Sequence, residues 1–181
     1  MAMQDALEAF MSGPDAQTFG HLRALFVASP GYRPIDFEFQ GLEALESEGA
    51  HGRLLEAGRD LLAAALLSPA LHYYIGRAAG GLGARDLERF HAYAYMTLRD
   101  ALLATGDGTP TRPFLVTQVI DEFFILTALG HEPLEQARVR HTDGRSFDVL
   151  TDEQGGETWF DITDIVRRRG ELGLADDAAE S

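Results

Sequence analysis

The chain has 181 residues, 45% of them hydrophobic, which is enough for one sizeable core or two small ones. Its net charge is -14, and binding to a phosphate backbone or an anionic bilayer needs a positive footprint, so both nucleic acid and membrane surfaces are disfavoured as partners. The absence of Cys excludes disulfides, thiolate zinc sites and cysteine nucleophiles together.

The longest apolar run, Leu61 to Leu67, is too short to cross a bilayer. The start, MAMQDALEAFMSG, has neither the basic residues nor the long apolar segment of a secretory signal, so a cytoplasmic protein is expected. All 15 basic residues are Arg and there is no Lys or Asn, a usage that fits a GC-rich bacterial genome.

In chain order, a short helix is expected over 3–11 around Leu7, Phe10 and Met11, ending at Ser12-Gly13-Pro14. Asp15 is placed to cap a second helix carrying Phe19, Leu22, Leu25 and Phe26, which stops at Ser29-Pro30-Gly31. A third helix runs from Ile35 or Asp36 to Glu48 on Phe39, Leu42 and Leu45. It is acidic: Asp36, Glu38, Glu43, Glu46 and Glu48 occur with no Arg between Pro34 and Gly52, a surface attractive to a basic partner. Arg53 to Leu67 is apolar over more than one face and is expected as a single helix sandwiched between neighbours.

Leu71, Tyr74, Ile75, Ala78 and Leu82 share one helical face, Gly83 breaks the helix, and Leu87, Phe90, Ala94, Leu98 and Ala101 continue the period in a second helix. The two must fold back on each other to bury both stripes. Ala57, Ala64 and Pro69 fall at the small, small and proline positions of the second helix of a tetratricopeptide (TPR) repeat, and His72, Ile75, Gly76 and Gly83 resemble the start of the next one. Two degenerate units follow, about 38–68 and 69–103, the second ending in a helix that overruns the usual length.

After Thr105 the character changes. Gly106-Asp107-Gly108 and the following prolines make a loop, Phe114 to Ile120 reads as a strand, and Asp121 to Leu129 as a short helix closed by Gly130. Strands are expected over 137–141, 146–151 and 158–162, joined by turns at Thr142-Asp143-Gly144 and Gln154-Gly155-Gly156. The fold class is therefore α+β: TPR-like helical hairpins over 1–105, a small antiparallel β-meander over 106–170 packed on them as one unit, and a flexible acidic tail over 171–181.

The order of parts, with the stretch ATGDGTPTRPFLVTQVIDEFFILTALG and the closing GGETWFDITDIV, resembles the bacterial domain-of-unknown-function family 4919 over about Ser12 to Arg168. The resemblance implies an architecture and no activity. Members of that family often carry an N-terminal secretion signal, and this chain departs from them by showing none.

Chemistry can be drawn from His72 and His91, on the two paired helices, with Asp107, Asp121 and Glu122, which fall near the helix-to-sheet junction; His72, His91, Asp107 and Glu122 would make a metal-dependent hydrolase site between helices and sheet. No HExxH or other ligand spacing supports it, and no cofactor is implied. The Gly106-Asp107-Gly108 loop lacks the Lys of a P-loop and the later acids of an EF-hand, and no GxSxG elbow is present. Asp121 and Glu122 read as helix-starting acids placed against the N-terminal dipole.

Tyr73 and Arg77 occupy first-helix positions that face the concave groove of a TPR-like hairpin, with Glu46 corresponding to them in the preceding unit. Tyr and Arg are also the residue types that dominate binding hot spots. The expectation is a non-enzymatic module that docks a protein or peptide partner, with a basic one favoured by steering. Its narrower form is an acidic immunity-like or antitoxin-like inhibitor of a basic partner.

Overall fold

The computed structural model describes residues 2–174; the end of the expected acidic tail, 175–181, lies outside them. In chain order the elements are α1 (Met3–Ser12), α2 (Ala16–Val27), α3 (Asp36–Ser47), α4 (His51–Asp60), α5 (Leu62–Ala65), α6 (Pro69–Gly81), α7 (Arg85–Leu103), β1 (Phe114–Leu115), α8 (Ile120–Leu129), β2 (Pro133–Arg140), β3 (Ser146–Asp152), β4 (Glu157–Asp161) and α9 (Thr163–Glu171).

Side chains set several of these boundaries. Asp15 Oδ1 accepts the Thr18 N–H at 2.7 Å while the Asp15 N–H donates to Thr18 Oγ1 at 3.1 Å, a reciprocal cap at the start of α2. Ser68 accepts the Leu71 N–H at 3.4 Å to cap α6, with Pro69 in the first helical position, where no amide donor is needed. Gly83 and Gly130 end α6 and α8 at φ +72 and +75, backbone angles that side chains bearing a Cβ resist.

The interior divides differently from the sequence boundary at residue 105. Phe10 of α1 and Phe19 and Phe26 of α2 pack with Leu98 and Leu102 of α7 and with Phe114, Leu150 and Phe160 of the sheet. Phe39, Leu42, Leu54, Leu71, Ile75 and Ala78, from α3, α4 and α6, make a second cluster. Helix α8 wedges between the two: Ile125 and Leu126 belong to the first, while Ile120 and Phe124 pack against the second. In the second cluster α4 and α6 approach closely because Gly58 lacks a side chain; a Cβ there would lie 2.6 Å from Ile75 Cγ1.

The α+β class holds, with three corrections. The sheet order is β1-β4-β3-β2; β2, β3 and β4 are antiparallel as expected, but β1 pairs with β4 in parallel, Phe114 opposite Phe160, so the sheet is mixed rather than a pure meander. The predicted strand over 114–120 is only two residues long. Beyond it the backbone is claimed by side chains of the helical body: Arg23 donates to the Val116 carbonyl at 3.2 Å and Tyr32 Oη to the Thr117 carbonyl at 3.1 Å. Gln118 accepts the Ile35 N–H at 3.0 Å and donates to the Arg33 carbonyl at 3.0 Å.

The predicted single helix over 53–67 breaks at Leu61, whose N–H turns to the Gly58 carbonyl three residues back. Just past the break the Ala64 carbonyl accepts from Gln118 Nε2 at 3.3 Å and from the Arg33 N–H at 3.4 Å. Those tertiary bonds hold the turn in place, and no local breaker residue announces them.

Candidate functional site

The glycines of α6 open a groove of about 270 Å³ against α7. Tyr73, Arg77 and Gly80 line one wall and Arg85, Glu88 and Tyr95 the other, with His72 at the base. At Gly80 a Cβ would sit 2.8 Å from Glu88 Oε1, and at Gly81 within 2.3 Å of the His51 ring, so the small residues make room for both side chains.

Two of the expected binding residues lie in this groove, and the third is bonded to it. Arg77 Nε donates to Glu46 Oε1 at 3.0 Å, joining α6 to α3 across the hairpins. The guanidinium side chain remains 59% exposed, so donors are left over for a visitor. Tyr73 is 36% exposed and sits at the centre of an aromatic array. Its ring centroid lies 5.4 Å from Tyr74, 5.5 Å from Phe124 and 6.0 Å from Tyr95, all tilted or edge-on as ring quadrupoles prefer. Phe39 extends the array from Tyr74 at 6.4 Å, and Arg99 lies over Tyr95 at 5.6 Å. Burial pushes the Tyr74 hydroxyl up to about 12, with Glu43 adding to the shift, so it stays neutral at any ordinary pH.

His72 and His91 do meet. Their Nδ1 atoms are 2.9 Å apart, and His72 Nε2 lies 2.9 Å from the Leu66 carbonyl. A carbonyl only accepts, which assigns the His72 proton to Nε2 and makes its Nδ1 the acceptor of a proton on His91 Nδ1. Burial lowers the pKa of His72; burial, then the neighbouring His72 and Arg59, lower that of His91 to about 4.

Asp107 and Glu122 do not join them. Asp107 is held in its own turn, accepting from the Thr109 hydroxyl at 2.7 Å and the Thr109 N–H at 3.2 Å, with Arg112 Nη1 3.3 Å away. Those bonds, the Thr109 hydroxyl first, keep its carboxyl below the usual range. Glu122 is fully buried in the first turn of α8. Among the described residues no group of three or more His, Asp or Glu side chains is placed to hold a metal ion.

The acid run of α3 is met from elsewhere in the chain. Arg169 pairs with Asp36, Arg33 with Glu38, Arg77 with Glu46 and Arg53 with Glu48. Of the five acids, Glu43 alone has no ion pair among the described residues; it lines a second cleft with Phe39, Ile120 and Phe123.

Sequence reasoning missed Tyr95, Phe124 and the burial under α8. Asp148 is fully buried and takes Arg138 Nε at 2.9 Å, Arg138 Nη2 at 3.2 Å and Gln136 Nε2 at 3.1 Å. A signal for this existed: a hairpin turning at Asp143 sets residue 138 opposite residue 148, which is the observed register. No protein-family model, curated protein or solved structure matches this chain. Among the described residues no helix is long and apolar enough to cross a membrane.

Proposed function

We propose that the protein is a non-enzymatic, cytoplasmic docking module that grips an extended protein or peptide segment along the α6–α7 groove. One observation carries this reading: Tyr73 is part-exposed at the centre of a packed aromatic array, beside the ion-paired but still accessible Arg77. Rigid aromatic area with one charged donor beside it is the usual composition of a binding hot spot. In this reading Tyr73 anchors an apolar side chain, Arg77 donates to backbone carbonyls of the segment, and Glu46 holds Arg77 in place. The net charge of -14 steers a basic partner toward the surface.

The likeness to family 4919 rests on the sequence motifs alone and contributes an architecture. The test is affinity recovery of partner from the source cell with wild type and with Tyr73→Ala/Arg77→Ala. Loss of a specific, net-basic partner with the variant, at unchanged circular dichroism, is expected. Equal recovery would sink the groove.

A further inference from the structure

The first turn of α8 carries two acids into the interior, Asp121 beside a few hydrogen-bonding groups and Glu122 beside none among the described residues. Asp121 and Glu122 are both fully buried. Asp121 Oδ1 accepts the Ser68 hydroxyl at 2.6 Å, which ties α8 to the cap of α6. Its Oδ2 and both carboxyl oxygens of Glu122 have no hydrogen-bond partner among the described residues.

The charges around them come from the sheet, from α3 and from α8 itself. The sheet brings Asp148, with Arg138 engaged on it; α3 brings Asp36, itself paired with Arg169; and Asp121 and Glu122 face each other's charge on α8 itself. On its other side Asp121 meets Ser68, the backbone of Ala70 and Gln118, the Thr117 hydroxyl and the field of Tyr32, the first four of which favour its charged form without overcoming burial. A buried carboxylate such as Glu122, without donors among the described residues and beside a second carboxylate, is held far more cheaply as the neutral acid, and burial alone outweighs the donors of Asp121. Ionised, Glu122 must either reach water or draw Arg138 away from Asp148. Either movement disturbs the place where the first turn of α8 lies beside the Arg138–Asp148 pair of β2 and β3.

We propose that this joint is a proton-controlled latch: with Asp121 and Glu122 protonated, α8 holds the sheet against the helical body, and loss of those protons frees β2 and β3 from α8. The direction agrees with the ionisation of both groups, since burial raises Asp121 to about 7 and raises Glu122 well above the usual carboxylate range. The latch bears on the groove through Phe124, two positions beyond Glu122, whose ring packs 5.5 Å from Tyr73 and 6.1 Å from Tyr95. That last consequence rests on the docking reading, whereas the latch itself is measurable without any ligand.

The test uses the full chain alone. Carboxyl-carbon NMR titration of wild type is expected to find Asp121 and Glu122 still neutral at about pH 6, where ordinary carboxyls are ionised. Hydrogen exchange, corrected for its intrinsic pH dependence, is expected to show opening of 116–129 and 133–152 rising from about pH 4 upward, the Asp121 share levelling off near about pH 7 and the Glu122 share continuing above it. The rise is up to roughly tenfold per pH unit for each proton lost, with α4 unaffected. The double variant Asp121→Asn/Glu122→Gln should hold these segments closed across the range. Ionised carboxyls at about pH 5 in folded wild type, or pH-independent opening in wild type, would overturn the latch, and neither result depends on how a variant folds.

Discussion

His72 and His91 share a single proton across 2.9 Å, and the Leu66 carbonyl on the far side of His72 decides which ring supplies it. Nitrogen-resolved NMR at neutral pH should therefore find His72 as the Nε2–H tautomer and His91 as the Nδ1–H tautomer. Both rings resist protonation, with His91 titrating near about 4. The native state then binds fewer protons than the unfolded chain below the ordinary His range. Stability contributed by the pair is present above about pH 6.5 and falls as pH drops toward the native value. Swapped tautomers, or a His91 titration at the ordinary value, would contradict the assignment.

The buried acids act with the opposite sign. Asp121 is raised from 3.8 to about 7, so between those values the native state binds more protons than the unfolded chain and stability declines as pH rises. The full effect is roughly 4 kcal/mol by the relation of about 1.4 kcal/mol per pKa unit. In wild type the His and Asp terms oppose each other over much the same range. Asp121→Asn should remove one of the two opposing acid terms, leaving that of Glu122, so that melting temperature rises from pH 4 to pH 7 more steeply than in wild type. An unchanged melting profile would show that Asp121 ionises normally.

Two ion pairs separate exposed from buried electrostatics. Arg77→Ala removes a largely exposed bond to Glu46 and is expected to cost under about 1 kcal/mol in chemical denaturation. Arg138→Ala leaves Asp148 buried without its cation and is expected to cost about 3–5 kcal/mol. Equal losses would contradict the packing beneath α8.

Gly106 tests the exit from α7. A Cβ at this position would lie 2.4 Å from the carbonyl oxygens of both Arg112 and Pro113, which are backbone and cannot swing aside. Gly106→Ala should lose about 2–4 kcal/mol, as severe overpacking does, while Asp107→Ala, which removes only turn bonds at the surface, should lose about 1 kcal/mol. A tolerated Gly106→Ala would mean that the loop relaxes freely.

Much of the scaffold is legible because it is local. The cap at Asp15, the break at Gly83 and the hairpin turn at Thr142-Asp143-Gly144 all depend on residues within a few positions of the event they cause. What is not legible depends on partners far along the chain. The break at Leu61 is held through Ala64 by Gln118, 54 positions away, and β1 is cut short where Arg23 and Tyr32 claim the following carbonyls. The same holds at the site: Tyr73 and Arg77 follow from helical position, but the Tyr95 and Phe124 rings that complete the array arrive from α7 and α8. Glu122 looked like an ordinary helix-starting acid because nothing in its neighbourhood of sequence reveals that α8 is wedged between two cores.

The docking reading is tested most directly by selection from a random-peptide display library against immobilised full-length protein, run beside Tyr73→Ala/Arg77→Ala. Wild type should enrich peptides that combine an apolar anchor with net positive charge, and the variant should fail to retain them. Enrichment of the same peptides by both proteins, or of none by wild type, would contradict a groove built around Tyr73.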